Sequence, residues 1–243
     1  QTFDHTGTYL DQWGSYGTGD GQFNLPSDVV ISPAGEVYVA DKYNDRIQKF
    51  DSSGGFLTKW GTLGNGAGQF DLPDAVEIAP SGLIYVGDGE NDRVQVFDSS
   101  GVYQFEWGAT GNGDGQFNQP RRIAAAADCD VFVVDRINHL VPIFTADGTF
   151  LGKFGAIGSG NGQFATPAGI AVAANGDVYV AEISNHRIQK FSSDGTYITK
   201  WGTNGSAAGE FNFPQAVEVL ASGEIYVVDS GNHRIQRWFD SDA

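Results

Sequence analysis

A repeat of constant length predicts that this chain folds as an all-β, five-bladed β-propeller with four antiparallel strands in each blade. The motif Gly-x-Phe-x-x-Pro recurs every 47 residues, and each copy carries four short β-type segments separated by glycine-rich turns. One four-stranded sheet cannot bury both of its faces, so five of them are expected to stack around a common axis. The motif ends at Pro26, Pro73, Pro120, Pro167 and Pro214.

The first copy shows the order of the elements, which we name strands a to d. Gly35 and Gly54 supply the positive φ that the a–b and c–d turns require. Short apolar and β-branched runs between the turns predict the four strands of this copy. They lie at residues 29–32, 37–41, 46–50 and 56–60.

Aromatic side chains recur at fixed positions of the repeat, which predicts that they pack in the blades and between them. One column lies on strand b, one at the end of strand c and one on strand d. These columns are Tyr38, Tyr85, Phe132, Tyr179 and Tyr226; Phe50, Phe97, Phe144, Phe191 and Trp238; and Trp13, Trp60, Trp107, Phe154 and Trp201.

The two ends of the chain complement each other in the repeat pattern. Residues 1–14 match the end of a strand c and a strand d, whereas the last copy supplies only strands a, b and c. We therefore expect residues 8–13 to pair with residues 234–238 and to close the ring, because closure removes exposed strand edges. The chain is then one domain, residues 1–243, with repeats at about 15–61, 62–108, 109–155, 156–202 and 203–243 plus 1–14.

Composition excludes several functions. With 30 acidic and 14 basic residues, the formal net charge is −16, which disfavours nucleic acid as a partner. No apolar run is long enough to predict membrane insertion. An acidic, lysine-poor propeller is typical of bacterial exported proteins, so we expect an extracellular or periplasmic monomer. The single cysteine, Cys129, is expected to be a small buried side chain.

The turn between strands b and c carries a signature that resembles the NHL repeat. The preceding Val-Tyr-Val-Ala-Asp and the following Phe-Asp-x-x-Gly match as well, so the resemblance covers nearly the whole chain. It implies a β-propeller, for which six blades are usual in the family. It does not imply one function, since similar repeats occur in RNA-binding regulators, a peptide-amidating lyase, bacterial sensor domains and exported proteins. The signature segments are residues 44–48, 91–95, 138–140, 185–189 and 232–236.

Two observations argue against zinc chemistry. In the amidating lyase, zinc-binding histidines directly follow the proline before strand a, and this chain has no histidine there. Its residues at those positions are Ser27, Asp74, Arg121, Ala168 and Gln215. The repeated histidines of the signature, His139, His186 and His233, alternate with Asp45 and Asp92, so they are expected to be structural.

Candidate binding residues are those that vary between copies on the face carrying the d–a and b–c loops, which we call the loop face. The first group is charged or polar and lies near the axis: Asp28, Asp74, Glu77, Arg121, Arg122, Gln215 and Glu218. The second group consists of aromatic residues that break the repeat: Tyr16, Tyr43 and Phe213. Closure of the ring would bring Phe213 close to the two tyrosines.

These residues leave more than one function open. The first interpretation is a non-catalytic binding propeller that takes a protein, peptide or carbohydrate at the loop face near the channel mouth, without a cofactor. The alternative is a calcium-dependent hydrolase of the lactonase or esterase type, which would use Asp28, Asp74, Glu77 and Glu218. Calcium needs six to eight oxygen ligands at 2.3–2.6 Å. A third interpretation is a structural propeller that mediates assembly.

Overall fold

The computed structural model describes residues 1–4 and 6–242, and these form five antiparallel blades arranged as a propeller. No α-helix occurs in this part of the chain; short 3-10 turns lie at Lys42–Asn44, Gly89–Asn91 and Ser230–Asn232. It likewise contains no helix with the length and apolar character needed to cross a membrane.

The strands follow the predicted repeat. Strands b, c and d of the first copy lie where the sequence predicts them, and strand a begins one residue earlier. The bounds are β1 (Thr2–Phe3), β2 (Tyr9–Asp11), β3 (Ser15–Tyr16), β4 (Gln22–Phe23), β5 (Asp28–Ile31), β6 (Val37–Asp41), β7 (Arg46–Phe50), β8 (Phe56–Trp60), β9 (Pro73–Ile78), β10 (Ile84–Asp88), β11 (Arg93–Phe97), β12 (Tyr103–Trp107), β13 (Pro120–Ala125), β14 (Val131–Asp135), β15 (Val141–Phe144), β16 (Phe150–Phe154), β17 (Pro167–Val172), β18 (Val178–Glu182), β19 (Arg187–Phe191), β20 (Tyr197–Trp201), β21 (Pro214–Val219), β22 (Glu224–Asp229) and β23 (Arg234–Phe239).

Each blade is a meander from the axis outward. Blade one contains β5 to β8, blade two β9 to β12, blade three β13 to β16, blade four β17 to β20 and blade five β21 to β23. The first strand of each blade lies at the axis, where it packs against the first strand of the next blade. Residues of these inner strands therefore line a central channel.

The predicted aromatic columns form the core between blades. The strand-d aromatic of one blade packs on the strand-c aromatic of the next, as Trp60 does on Phe97, with ring centroids 5.8 Å apart. Trp107 packs on Phe144 in the same way at 5.7 Å. Tyr85 is fully buried. Burial of these aromatic columns, together with valine, isoleucine and alanine side chains of the same clusters, holds neighbouring blades together.

The variable position of the NHL-like signature ties each of blades one to four to the following blade. Asp45 has a left-handed backbone with φ 51°, and its Oδ1 accepts a hydrogen bond from the Leu72 amide at 3.0 Å. His139 takes the same conformation, and its Nδ1 accepts from the Thr166 amide at 3.1 Å. Aspartate and histidine tolerate this backbone region better than most residues. The signature histidines of blades three and four therefore serve as links between blades.

Cys129 is half-buried rather than buried, which corrects the expectation from composition. It lies in the a–b turn of blade three with φ 76°. The same position carries glycine in the other four repeats, for example Gly35 with φ 83°. The cysteine thus occupies a left-handed turn position, which keeps it at the surface.

The prediction that the N-terminal strand completes the last blade is wrong. Blade five has three strands, and β2 pairs with β1, not with β23. The reason lies in residues 1–14, which bring their own end of strand c: Phe3 pairs with Tyr9 as Phe50 pairs with Phe56. Since β1 lies on the edge of β2 that β23 would need, the N-terminal segment forms a separate hairpin.

The propeller is consequently open between blade five and blade one. Ile235 on β23 is 67% exposed, whereas the equivalent residues of blades one to four are buried. Val29 on β5 is 59% exposed on the opposite side of this gap. The N-terminal segment lies beside blade one, where Trp13 packs on Phe50 with centroids 4.5 Å apart.

Candidate functional site

Inner strands from four blades bring charged side chains into one cavity at the loop-face end of the channel. Asp28, Glu77, Arg122 and Glu218 line this upper chamber, whose volume is about 370 Å³. All four were predicted from the variation between repeats. Their side chains meet here because the repeat places their strands at the same height around the axis.

Arg122 reaches across the upper chamber and links three blades. Its Nη2 donates to the carbonyl oxygen of Ser27 in blade one at 2.6 Å, and its Nη1 donates to that of Asp74 in blade two at 2.5 Å. Its Nε lies 3.7 Å from Oδ1 of Asp28. A guanidinium group suits these acceptors better than an ammonium group, because its planar set of N–H donors points in several fixed directions.

Asp28 is held by blade two. Its Oδ2 accepts a hydrogen bond from the Val76 amide at 3.1 Å. Burial raises the pKa of Asp28, although the positive charge of Arg122 and this hydrogen bond act in the opposite direction.

Glu77 lies between two other acids of the chamber. Burial, with the negative charges of Asp28 and Glu218, raises the pKa of Glu77 to about 8. The pKa of Glu218 is also raised, first by partial loss of water around its carboxyl group and then by Asp28, although the residue remains exposed to solvent. At neutral pH the Glu77 carboxyl is therefore predominantly protonated, and it can donate a hydrogen bond as well as accept one.

The channel continues toward the opposite face as an apolar chamber. This lower chamber has a volume of about 420 Å³ and is lined largely by alanine, valine, isoleucine and proline side chains. Val30 and Glu77 line both chambers. The Glu77 carboxyl thus marks the point where a charged mouth meets an apolar interior.

Three predicted residues lie near the rim but do not line the upper chamber. Asp74 forms an ion pair with Lys42 at 2.9 Å. Arg121 is half-buried, and burial lowers its pKa, with Asp74 acting against this shift. Gln215 is exposed. The carboxylate set considered for calcium is therefore divided, with Asp74 engaged elsewhere.

The three aromatic residues do not form one cluster. Tyr16 is 83% exposed and Tyr43 is 51% exposed, both in the blade-one region. Phe213 packs on His186 of blade four, with ring centroids 5.0 Å apart. Among the described residues no ring contact joins Phe213 to either tyrosine, so the expectation that closure places them together stays a prediction.

Sequence reasoning missed one wall of the chamber. Tyr226, Val228 and Ile235, on the uncovered flank of blade five, also line it. Their repeat positions are core positions, and the only sequence signal for their exposure is the duplicated strand-c end at Phe3.

Metal coordination finds limited support in the geometry. Within residues 1–4 and 6–242, no group of three or more histidine, cysteine, aspartate or glutamate side chains is arranged so that it could hold a metal ion. The calcium hypothesis stays a prediction, to be tested by binding.

The family model of the NHL repeat matches the chain at residues 23–50, 164–191 and 211–238. These matches fall in blades one, four and five. They confirm the resemblance that the signature segments indicate. No curated protein matches the sequence.

Solved structures share the fold at low identity. A catalytically inactive variant of virginiamycin B lyase from Staphylococcus aureus, solved with quinupristin, is 18% identical with a TM-score of 0.71, covering 99% of this chain and 74% of that one. A streptogramin B lyase is 18% identical with a TM-score of 0.64, covering 88% and 68%. Hydrazine synthase from Kuenenia stuttgartiensis is 11% identical with a TM-score of 0.59, covering 90% and 84%. At such identities the likeness establishes the fold alone.

Proposed function

Since the chain is a five-bladed β-propeller that carries NHL repeats, we propose that it is a non-catalytic binding module whose ligand enters the channel from the loop face. The observation that carries this proposal is the convergence of Asp28, Glu77, Arg122 and Glu218 in the upper chamber. The repeated fold does not require these four side chains, because the equivalent positions of other blades carry alanine, glycine or valine.

Glu77 and Glu218 illustrate the point. The equivalent inner-strand position carries Val30, Ala124 and Ala171 in the other blades. Burying the carboxyl group of Glu77 is costly unless it is paired or protonated, so a small apolar residue there would stabilise the propeller more, whereas Glu218 is exposed to solvent. A ligand that uses these carboxyl groups gives them a role.

Among protein, peptide and carbohydrate ligands, the charges favour a peptide or protein segment with a lysine side chain. Burial and the neighbouring acids Asp28 and Glu218 raise the pKa of Glu77, and no cation acts against them. An ammonium group would stabilise the carboxylate and cause release of the proton. The methylene chain of lysine would lie along apolar side chains of the upper chamber such as Val30 and Val76.

The outer part of such a ligand would lie on the rim. Tyr16 and Tyr43 expose aromatic surface there, and Asp74, Arg121 and Gln215 offer polar groups. Exposed aromatic and arginine side chains are the types most enriched in interface hot spots.

The test uses short lysine-containing peptides and the same peptides with norleucine in place of lysine. Calorimetry at pH 7 in two buffers of different ionisation enthalpy should show binding of the lysine peptides with release of close to one proton. Glu77→Gln should weaken binding at least 10-fold and abolish proton release. Asp114→Asn, which removes an exposed carboxyl group elsewhere, is the matched control.

Three outcomes would contradict the proposal. Equal binding of lysine and norleucine peptides would exclude the ammonium contact. Undiminished binding by the Glu77→Gln, Glu218→Gln double variant would place the ligand elsewhere. Binding of neutral oligosaccharides with no proton uptake or release would assign the site to carbohydrate instead.

One observation favours the hydrolase alternative enough to test it. A carboxyl group whose pKa lies near 8 is suited to general acid–base catalysis at neutral pH. If this function holds, chromogenic lactones or esters should be hydrolysed in a calcium-dependent manner, and Glu77→Gln should abolish turnover. Calorimetry that detects no calcium binding would remove this alternative and leave the binding module.

A further inference from the structure

Four blades contain the same pocket for an arginine side chain, which we call the arginine pocket; it is buried in blades one, two and four. In blade one, Nε of Arg46 donates to Oδ2 of Asp41 at 2.7 Å. Its Nη1 and Nη2 donate to the carbonyl oxygens of Thr18, Gly19 and Gln22 at 2.7–2.9 Å. The pocket thus consists of one carboxylate at the end of strand b and three carbonyl oxygens of the d–a loop.

The other three examples have the same design. The arginine is Arg93 in blade two, Arg187 in blade four and Arg234 in blade five, and each bonds the carboxylate at the end of strand b and three loop carbonyls. Arg93 donates in addition to Oε2 of Glu106 at 3.0 Å. In all four blades a glutamine two residues later adds a bond to the same carboxylate, as Gln48 does to Asp41 at 3.0 Å.

Blade three departs from this pattern. Leu140 takes the place of the arginine, and Pro142 takes the place of the glutamine. Leucine is too short to reach the position of a guanidinium group, and neither residue can donate a side-chain hydrogen bond. The cation of the pocket is therefore absent from blade three, although its acceptors are present.

The walls of the pocket keep their conformation in blade three. Nδ2 of Asn138 donates to Oδ2 of Asp135 at 2.8 Å and to the carbonyl oxygen of Gly111 at 2.7 Å, as Asn44 does in blade one. The Gln116 amide donates to the Gly113 carbonyl at 3.2 Å, and the Gly113 amide donates to Oε1 of Gln116 at 2.9 Å. The loop is therefore shaped for an arginine that blade three lacks.

Asp135 is left with neutral partners only. It is fully buried, and it accepts hydrogen bonds from the Asn118 amide at 3.0 Å and from Asn138. Burial raises its pKa. Among the described residues, none donates a hydrogen bond to the carbonyl oxygens of Asn112 and Gln116, which correspond to two of the arginine acceptors. A buried carboxylate without a cation is strongly destabilised.

The spacing of these oxygens selects the kind of cation. They correspond to oxygens that lie 2.9–3.0 Å from the three nitrogens of the planar Arg93 guanidinium group in blade two. A calcium ion needs its oxygens at 2.3–2.6 Å from a single centre. The pocket therefore suits a flat cation with several donors.

The pocket is also more accessible than its siblings in blades one, two and four. Leu140 is half-buried, whereas the arginines of blades one, two and four are buried; Arg234, on the open flank of blade five, is half-buried as well. An external group can therefore approach from the loop face beside Leu140.

We propose that the arginine pocket of blade three binds the guanidinium group of an arginine side chain supplied by a peptide segment of a partner. The partner's arginine replaces, from outside, the residue that the other four blades supply from within. Binding would pair Asp135 with a cation and give hydrogen bonds to the carbonyl oxygens of Asn112, Gly113 and Gln116. This site lies at the b–c and d–a loops of blade three, apart from the upper chamber.

The test uses guanidinium chloride and N-acetylarginine amide at low millimolar concentrations, with sodium chloride and N-acetyllysine amide as matched controls. Amide resonances of residues 111–116 should shift saturably with both guanidinium compounds and not with the controls. Leu140→Arg should abolish the shifts, because the chain then supplies the group itself. Asp135→Asn should weaken binding at least 10-fold.

A second variant keeps the test meaningful should Asp135→Asn unfold the blade. The Arg187→Leu, Gln189→Pro double variant recreates the blade-three sequence in blade four and should add a second, equivalent binding event at residues 158–163. Absence of saturable shifts, or equal shifts in Leu140→Arg, would overturn the proposal. Binding of guanidinium ion without binding of N-acetylarginine amide would overturn the assignment to a peptide side chain.

Discussion

Phe3 pairs with Tyr9 across the N-terminal hairpin in the same register in which Phe50 pairs with Phe56 in blade one. This pair shows that residues 1–14 contain the end of a strand c as well as a strand d. Within the hairpin, β1 pairs with the edge of β2, so blade five has no fourth strand beside β23. The exposed flank of blade five, the gap beside blade one and one wall of the upper chamber all follow from it.

Alanine substitutions at equivalent positions should reveal the open junction. Ile188 is fully buried between blades four and five, so Ile188→Ala should lower the free energy of unfolding by about 2–5 kcal/mol. Ile235 occupies the same repeat position but is 67% exposed, so Ile235→Ala should cost less than about 1 kcal/mol. Urea unfolding of both variants measures the difference. Equal losses would mean that the ring is closed in solution.

Glu77 should make stability depend on pH. The pKa of Glu77 is raised from 4.5 to about 8, so between these values the folded state keeps a proton that the unfolded chain has released. Stability then falls as pH rises through this window, by at most about 1.4 kcal/mol per pH unit for one proton. Glu77→Gln should remove this slope. The stability of the variant relative to the wild type should therefore increase from pH 5 to pH 8.

Urea titrations at pH 5, 6.5, 8 and 9 measure that effect. Asp114→Asn is the control, because it removes an exposed carboxyl group and should leave the slope unchanged. Parallel curves for the wild type and Glu77→Gln would show that Glu77 titrates normally in the folded protein.

His139 should be replaceable by aspartate but not by alanine. Its Nδ1 accepts a hydrogen bond from the Thr166 amide, and Asp45 accepts the equivalent bond between blades one and two. His139→Asp should keep this hydrogen bond and change the free energy of unfolding by no more than about 0.5 kcal/mol. His139→Ala leaves the Thr166 amide without its acceptor and should lower the free energy of unfolding by about 1–2 kcal/mol. Thermal unfolding compares the two, and similar losses in both would argue against the link.

Cys129→Gly should stabilise the protein. Cys129 has φ 76° in a turn where the other repeats carry glycine, and a residue with Cβ is strained in this region. We expect a gain of about 1 kcal/mol, seen as a higher midpoint of thermal unfolding under reducing conditions. Cys129→Ser keeps Cβ and should show no such gain. A similar gain in the serine variant would point to thiol chemistry instead of backbone strain.

Most of the fold could be predicted because its signals are local and repeated five times. Strand order, turn glycines and the aromatic columns recur at a spacing of 47 residues, and the structure confirms them. The convergence of Asp28, Glu77, Arg122 and Glu218 could be predicted as well, since equal spacing places these strands at equal heights. The rim positions of Asp74 and Gln215 could not, because side-chain direction there depends on individual partners such as Lys42.

The sequence by itself determined the blades, since each forms from short-range strand pairing and from aromatic contacts that the repeat specifies. Only the tertiary structure decided how the ring ends, which side chains face the channel and what remains of the arginine pocket in blade three. Pairing between distant segments is a competition for the same strand edge, and Thr2–Phe3 takes the edge of β2 that the last blade would need. A pattern of residue types shows which segments could pair, whereas the geometry of the folded chain decides which of them do.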